Sequence, residues 1–411
     1  MTRIGIVVGS TRPGRRMTAE SGPLPPAALD ELADAIAAGA TFAGLGESTR
    51  FAHETFSVRD QLFRRLVRNH GFRALALQDD ASVGATLDAY VAGGAGTPAA
   101  ALRHAWRPWR TVEMAEALEW IRAFNQDHPD DPVRIFGVKP AQAQPADYDA
   151  VLDDVRRTAP HRLTELTAHL APIRTAHEID EHVQRARGRH PGRPFAEHAR
   201  DALAILEQLP GDLALARIRM RLIVEFHERS VAGRGDYAGD AHAWAEEIAE
   251  HQRRTGHRVA YWDGIAHTSA APIALGLAPQ RGSQPTVGSV LRDRFGARYV
   301  SVAIGFHHGD LGIATVPAPA PDWLDARLDS TSPDRPAYWL DLRADGQRRQ
   351  WGTPVRARVI SGVYDPSRDS AEHLVVDSLP DAFDVLVHIH QVSPVRSAFE
   401  DAGQSAAAED R

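Results

Sequence analysis

Polar residues directly follow three apolar, strand-like runs, and these are the residues best placed for chemistry. The runs are residues 41–46, 72–77 and 258–262, and the polar segments behind them are 46–50, 78–80 and 262–267. Ligands of open parallel sheets bind beyond the carboxyl ends of the strands. Carboxylates, an arginine and a histidine there could supply a general base and an anchor for an anion. The sequence therefore predicts one polar cleft built from all three segments.

Strands and helices must alternate to bring these segments together, and the hydrophobic periodicity predicts that they do. Helices are predicted at 51–69 and 112–124, and strands at 41–46, 72–77 and 133–138. Further strand-like runs at 258–262, 299–304, 355–360 and 383–389 return the chain to the sheet. This alternation predicts an α/β fold whose mainly parallel sheet is covered by helices on both faces, with an inserted helical cap subdomain.

Five parts of the chain follow from these patterns. They are an N-terminal extension at 1–25, a first α/β part at 26–145, the helical cap at 146–256, a second α/β part at 257–396, and a disordered tail at 397–411. Residues 4–16 resemble the opening of NADPH-dependent FMN reductases. No second half of a flavodoxin-like sheet follows them, so we predict no flavin and no other cofactor.

Composition excludes several classes of function. The 411 residues carry a formal net charge of −7, which leaves no basic surface for nucleic acid. We find no apolar run of membrane-spanning length and no secretory leader, so we expect a cytoplasmic protein without a membrane partner. The chain has no cysteine, which rules out disulfides and thiolate chemistry. A small molecule is the expected partner, and the sequence leaves the oligomeric state open.

Several segments together resemble the erythromycin esterase family. They extend from about residue 26 to 396 and comprise 44–49, the helix that opens with His53 and Glu54 and reaches Arg59, 71–72, 118–125, 260–267 and 383–388. The resemblance implies hydrolysis of an ester or lactone by a histidine base that activates water. It also implies supporting glutamates, an arginine and a pair of histidines.

Only half of the residues implied by this resemblance are present. Glu47, Arg59 and His267 match a glutamate, the arginine and the second histidine of the pair. The other positions hold Arg50 in place of the base histidine, Gln78 in place of a glutamate and Gly264 in place of the first paired histidine. An arginine stays protonated near neutral pH, so Arg50 cannot act as the base.

Other residues could compensate for the missing base. His53 lies three residues beyond Arg50, on the same face of the predicted helix, and is the best replacement base. Arg50 could anchor a substrate carboxylate or stabilise an oxyanion. The predicted catalytic residues are therefore Glu47, Arg50, His53, Arg59 and His267, and the predicted substrate-binding residues are Gln78, Asp79, Asp263 and His307.

Simpler roles are considered beside these. Glu47 could cap the following helix, Arg59 could form a structural ion pair with Glu47 or Asp60, and Trp106, Trp109 and Trp120 favour helix packing. The pairs His307–His308 and His388–His390 suggest a metal site. We predict no metal, because the family that the chain resembles shows no metal dependence.

Two functions from different classes follow. The first is an erythromycin esterase-like enzyme of secondary metabolism that acts on an ester, lactone or polyketide-like small molecule. Its hydrolysis would be weak, or its reaction would be a cyclisation, elimination or isomerisation. The alternative is a catalytically inactive binder, a pseudo-esterase that sequesters a carboxylate-bearing ligand.

Overall fold

The computed structural model describes residues 22–140, 142–190, 192–233, 237–360 and 364–399. The flavodoxin-like motif at 4–16 lies outside these residues, as do most of the predicted N-terminal extension and of the predicted tail. No helix within the described ranges is long and apolar enough to cross a membrane.

Strands and helices alternate in the first and last parts of the described chain, on either side of its helical middle. The strands are β1 (Phe42–Glu47), β2 (Phe72–Asp80), β3 (Arg134–Lys139), β4 (Arg258–Gly264), β5 (Ala274–Leu275), β6 (Tyr299–Asp310), β7 (Thr315–Val316), β8 (Ala337–Asp341), β9 (Val355–Arg358), β10 (His373–Val376) and β11 (Val385–Val392). The helices of the first part are α1 (Pro26–Ala37), α2 (His53–His70), α3 (Ala81–Val91), α4 (Pro98–Leu102) and α5 (Val112–Asp127).

The remaining helices form the middle of the chain and the second half. In the middle are α6 (Pro145–Thr158), α7 (Leu163–Arg174), α8 (Glu181–Ala186), α9 (Phe195–Glu207), α10 (Ala214–Glu228) and α11 (Tyr237–Thr255). Later come α12 (Ile265–Thr268), α13 (Val287–Phe295), α14 (Leu324–Thr331), α15 (Gln347–Trp351) and α16 (Leu379–Ala382).

The main sheet has the order β3-β2-β4-β1-β6-β11-β8, and β7 pairs with β6. Strands β3 to β11 in this order are mutually parallel, while β8 is antiparallel to β11. The carboxyl ends of β1, β2 and β4 therefore lie side by side at one edge of the sheet. The predicted α/β fold with a mainly parallel sheet is confirmed.

Helices cover both faces of this sheet, as predicted. One face packs against α1, α2, α3 and α5, and the other packs against α11, α12 and α13. Residues two apart on a strand share a face, so Leu45 and Glu47 of β1 point toward α2. The opposite face of β1 carries Gly46, where a Cβ would lie 2.0 Å from Thr268 Oγ1. This glycine allows α12 to pack closely on β1.

The helical middle of the chain has its own core. Helices α6, α7, α9 and α10 pack around buried side chains that include Tyr148, Leu170 and Ile223. Helix α11 differs, because its Trp244 and Ile248 pack against sheet residues. The boundaries 146 and 256 of the predicted cap remain a prediction.

Two features of the second half differ from the sequence-based expectation. The run at 355–360 was expected to return to the main sheet, but its strand β9 joins a separate three-stranded antiparallel sheet of order β5-β10-β9. Strand β8, which had not been predicted, occupies the edge of the main sheet instead. Short runs such as these have too few residues for periodicity to reveal their pairing partner.

Candidate active site

A buried ion pair connects β1 to α2 below the edge of the sheet. Arg59 Nη1 lies 2.7 Å from Glu47 Oε1, and both side chains are almost completely buried. The guanidinium also packs over the rings of Phe56, Trp109 and Trp262 at 4.7 to 5.1 Å. Burial raises the pKa of Glu47, and the charges of Arg59 and Arg50 oppose that rise. The pair expected as one of the simpler roles for Arg59 is therefore present.

Arg50 joins the other two polar segments to the end of β1. Its Nη2 donates to both Gln78 Oε1 at the end of β2 and Asp263 Oδ1 at the end of β4. Asp263 is completely buried and also accepts from the hydroxyl of Tyr261. This buried carboxylate bonds directly to the guanidinium and so fixes it in place.

Gly264 makes room for this arginine. A Cβ at position 264 would lie 3.2 Å from Arg50 Nη1, which is closer than ordinary van der Waals contact. The backbone N–H of Gly264 donates to Asp263 Oδ1 at 2.6 Å. Arg50 therefore contacts Gln78 directly and lies over Gly264, so it joins the three positions at which the resemblance implies other residue types.

The side chain of His267 reaches the same set from α12. His267 Nε2 lies 3.4 Å from Gln78 Nε2. Because the amide oxygen of Gln78 accepts from Arg50, its nitrogen faces the imidazole and donates to it. This arrangement makes Nε2 the unprotonated, accepting nitrogen of the ring and places the proton on Nδ1. Burial lowers the pKa of His267 and so favours the neutral imidazole, which is the form that a general base requires.

A cationic and aromatic rim adjoins this network. Arg50 lies 4.7 Å from the centroid of the Trp106 ring, and Lys139 Nζ lies 5.2 Å from the same ring. Lys139 is also 5.4 Å from the ring of Trp244, which in turn lies 5.4 Å from the ring of His267. Trp106, which precedes a short 3-10 turn, packs against the hydrophobic core as expected, and its ring also covers Arg50.

Asp79 holds the loop that carries Trp106. Its two carboxylate oxygens accept from the backbone N–H of Trp106 at 2.7 Å and of Asp80 at 2.9 Å. Burial raises the pKa of Asp79 to about 6, although both bonds and Lys139 favour its charged form. Its substrate-binding role remains a prediction.

His53 lies at the start of α2 and has partners outside the Arg50 network. Its Nδ1 lies 2.9 Å from Glu113 Oε1, and its backbone N–H donates to Ser393 O at 2.8 Å. The hydrogen bond to Glu113 raises the pKa of His53. A larger share of this imidazole is therefore protonated near neutral pH than of an isolated histidine.

Replacing Glu113 by glutamine is expected to lower the pKa of His53 toward 6.5. The raised folded-state pKa means that the pair contributes stability below pH 6.5 and loses it as pH rises through that pKa. Because the side chain of His53 is 38% exposed, this contribution is about 0.2–1 kcal/mol. An NMR titration of the His53 ring measures the shift. The control is Glu116→Gln, and an unchanged His53 pKa in Glu113→Gln would contradict the prediction.

His307 belongs to a different group, near the carboxyl ends of β6 and β11. Its Nδ1 lies 2.9 Å from His308 Nδ1, and its ring stacks on that of His390. Burial lowers the pKa of both His307 and His308, so both rings are neutral at pH 7. The structure thus brings together Glu47, Arg50, Arg59, Gln78, Asp263 and His267, with Asp79 beside them, and places His53 and His307 with other partners.

Sequence reasoning missed two residues of the rim. Lys139 ends β3, the strand next to β2, so the rule that selected Gln78 and Asp263 would also have selected it. Trp244 lies on α11, where its apolar ring suggests only packing. Glu113, the partner of His53, gave no signal because it follows no strand and belongs to no motif.

Solved structures with the same fold include proteins of low sequence identity. A protein from Bacillus cereus is 21% identical with a TM-score of 0.61, and the match covers 92% of this chain and 95% of that one. A succinoglycan biosynthesis protein is 21% identical with a TM-score of 0.60 and the same coverage of both chains. A histidine mutant of erythromycin esterase EreC in its open conformation is 18% identical with a TM-score of 0.54, covering 88% of this chain and 93% of that one. At these identities the likeness shows the fold alone.

The sequence pattern of one family, erythromycin esterase, matches residues 67–392. The match includes Gln78, Asp263 and His267, while Arg50 and Arg59 precede it. No curated protein matches the chain. Because the family pattern spans well over half of the 411 residues, the chain belongs to the erythromycin esterase family.

Proposed function

We propose that the chain is an erythromycin esterase-like enzyme that acts on an ester, lactone or polyketide-like small molecule of secondary metabolism. One observation carries this proposal. Of the three altered positions, Arg50 bonds to Gln78 and lies over Gly264, and Gln78 in turn contacts His267. Unrelated substitutions in a site that had lost its activity would leave cavities and polar groups without partners. The three replacements observed here instead complement one another. The arrangement favours a site adapted to a changed reaction.

His267 and Arg50 can divide the work of such a reaction. In hydrolysis, His267 takes a proton from water while the water oxygen attacks the carbonyl carbon. The carbonyl electron pair moves onto oxygen beside Arg50, and collapse of this intermediate expels the alcohol, which receives the proton. We expect this hydrolysis to be weak, because Gln78 donates to the lone pair of His267 and Asp263 already occupies part of the guanidinium.

The same two groups suit reactions without water. His267 can remove a proton from the carbon next to a carbonyl, and Arg50 can stabilise the enolate. Returning the proton to another carbon gives isomerisation, and loss of a leaving group from the β carbon gives elimination. If a hydroxyl of the substrate replaces water in the attack on the carbonyl, the product is a ring. We favour His267 over His53 as the base, because Glu113 keeps His53 more protonated.

The test compares wild type, His267→Ala and His53→Ala on aryl esters and macrolide lactones. Mass spectrometry of the products separates hydrolysis, which adds one water, from isomerisation, which leaves the mass unchanged, and from elimination. We expect His267→Ala to lose about 10²- to 10⁴-fold in turnover and His53→Ala to lose far less. Equal rates in all three proteins would remove both histidines from the mechanism.

The inactive binder remains the second candidate because of the cationic rim. Arg50 and Lys139 both pack on Trp106, so a carboxylate could bind between two cations with its apolar part on the indole. Calorimetric titration with carboxylates that wild type does not convert tests this candidate. Tight binding without any product, weakened by Lys139→Ala, would favour the binder over the enzyme.

A further inference from the structure

Three imidazoles meet near the carboxyl ends of β6 and β11, outside the Arg50 network. The ring centroids of His307, His308 and His390 are 5.1, 5.8 and 5.0 Å apart. One ring nitrogen from each lies within 4.8 Å of the other two, and no other group of this kind occurs in the part of the chain that the structure describes. The pairing of β11 with β6 places His390 beside His307.

We propose that His307, His308 and His390 bind one divalent transition-metal ion, with Zn²⁺ as the preferred ion. For Zn²⁺ bonded tetrahedrally to three ring nitrogens at about 2.1 Å, the imidazole centroids lie about 5.2 Å apart. The observed triangle has nearly these dimensions. Imidazole ligands suit Zn²⁺ and copper and do not suit the oxygen-seeking ions Mg²⁺ and Ca²⁺.

Two of the three imidazoles come from neighbouring residues of β6. Successive residues of a regular strand point to opposite faces, yet Nδ1 of His307 and Nδ1 of His308 lie only 2.9 Å apart. Gly309 follows directly with a φ of 149°. A Cβ at Gly309 would lie 2.2 Å from Val392 O, so only glycine fits between the two strands at this point.

A carboxylate orients the third imidazole in the way that metal-binding histidines require. Asp329 Oδ1 on α14 lies 2.6 Å from His390 Nδ1. Donation from Nδ1 leaves Nε2 of His390 unprotonated, which is the form that binds a metal. The same oxygen lies 3.3 Å from Nε2 of the buried His388, and this second contact helps to position Asp329.

The cluster lies on the same edge of the sheet as the proposed active site. Glu47 pairs with Ile304 of β6, and His307 lies three residues further along that strand, a rise of about 10 Å. The side chain of His390 is 38% exposed and that of His307 is 15% exposed, so an ion can reach the cluster from solvent. A bound ion would cross-link the ends of β6 and β11 next to the cleft.

The test uses full-length, tag-free protein stripped with a chelator and then titrated with Zn²⁺ against a chromophoric competitor. We expect one ion per chain in wild type, and a Co²⁺-loaded sample with the visible absorption of a four-coordinate site. We expect His308→Ala and His390→Ala to lose this ion and Asp329→Asn to bind it about 10- to 100-fold more weakly. The control His161→Ala changes an exposed histidine elsewhere and should bind like wild type.

Folding is checked first by circular dichroism of the metal-free proteins, and His308→Gln and His390→Gln replace any alanine variant that fails to fold. Equal Zn²⁺ affinity of wild type and the folded His308 and His390 variants would overturn the proposal. Failure of wild type to retain an ion against the competitor would overturn it as well. Neither result bears on turnover by His267, so the metal site and the proposed function stand or fall separately.

Discussion

The triple variant Arg50→His/Gln78→Glu/Gly264→His is expected to hydrolyse aryl esters about 10²- to 10⁴-fold faster than wild type. It gives these three positions the residue types that the family resemblance implies, so a histidine base becomes available at position 50. The replacements must be made together. A side chain at position 264 would lie against Arg50 Nη1, so Gly264→His alone should lower stability by about 1–3 kcal/mol.

Initial rates of ester hydrolysis and thermal unfolding of the single and triple variants measure both expectations. Adding His267→Ala to the triple variant is the control for the site, and it should remove most of the gain. A triple variant that folds like wild type but hydrolyses no faster would contradict the idea that these three positions limit hydrolysis.

The variant Arg59→Met is expected to lose about 3–5 kcal/mol of unfolding free energy. Removing the guanidinium leaves the carboxylate of Glu47 buried without the cation that lies 2.7 Å away in wild type. Burial already raises the pKa of Glu47, and without Arg59 this pKa rises further. Protonation of Glu47 at low pH removes the unpaired buried charge. The variant should therefore lose more unfolding free energy at pH 8 than at pH 5.

Urea unfolding at both pH values measures this effect. The matched control is Arg64→Met on the same helix, where the pair with Asp60 is partly exposed and should contribute at most about 1 kcal/mol. The double variant Glu47→Leu/Arg59→Met should recover much of the loss, because no buried charge is left unpaired. A loss in Arg59→Met no larger than in Arg64→Met would contradict the structural importance of the pair.

The central part of the fold could be predicted from the sequence because its signals are long. Helix α2, at His53–His70, was predicted at 51–69, and helix α5, at Val112–Asp127, was predicted at 112–124. Strands β1, β2 and β4 were recognised from apolar runs that end in polar residues. The edge strand β8 and the small sheet of β5, β9 and β10 were missed or misassigned, since their short runs carry no information about pairing.

The site could be predicted where strand ends determine position, and not where loops and long side chains do. Gln78 and Asp263 lie near the ends of the neighbouring strands β2 and β4, so the topology alone brings them together. Nothing in the sequence shows that Arg50 bridges them, because a long side chain can point in many directions. The group formed by His307 and His390 depends on the register of β6 with β11, which a single sequence does not reveal.

Trp106 connects three parts of the molecule, and this has a consequence for how a ligand would be admitted. Its backbone is held by Asp79, its ring lies over Arg50, and its indole N–H donates at 3.3 Å to Asp180, next to α8 in the helical middle. A molecule that approaches the outer face of the guanidinium competes with the indole for that surface. Displacing the ring would break the hydrogen bond between its indole N–H and Asp180. Ligand binding in the cleft and the position of the helical segment are therefore thermodynamically linked.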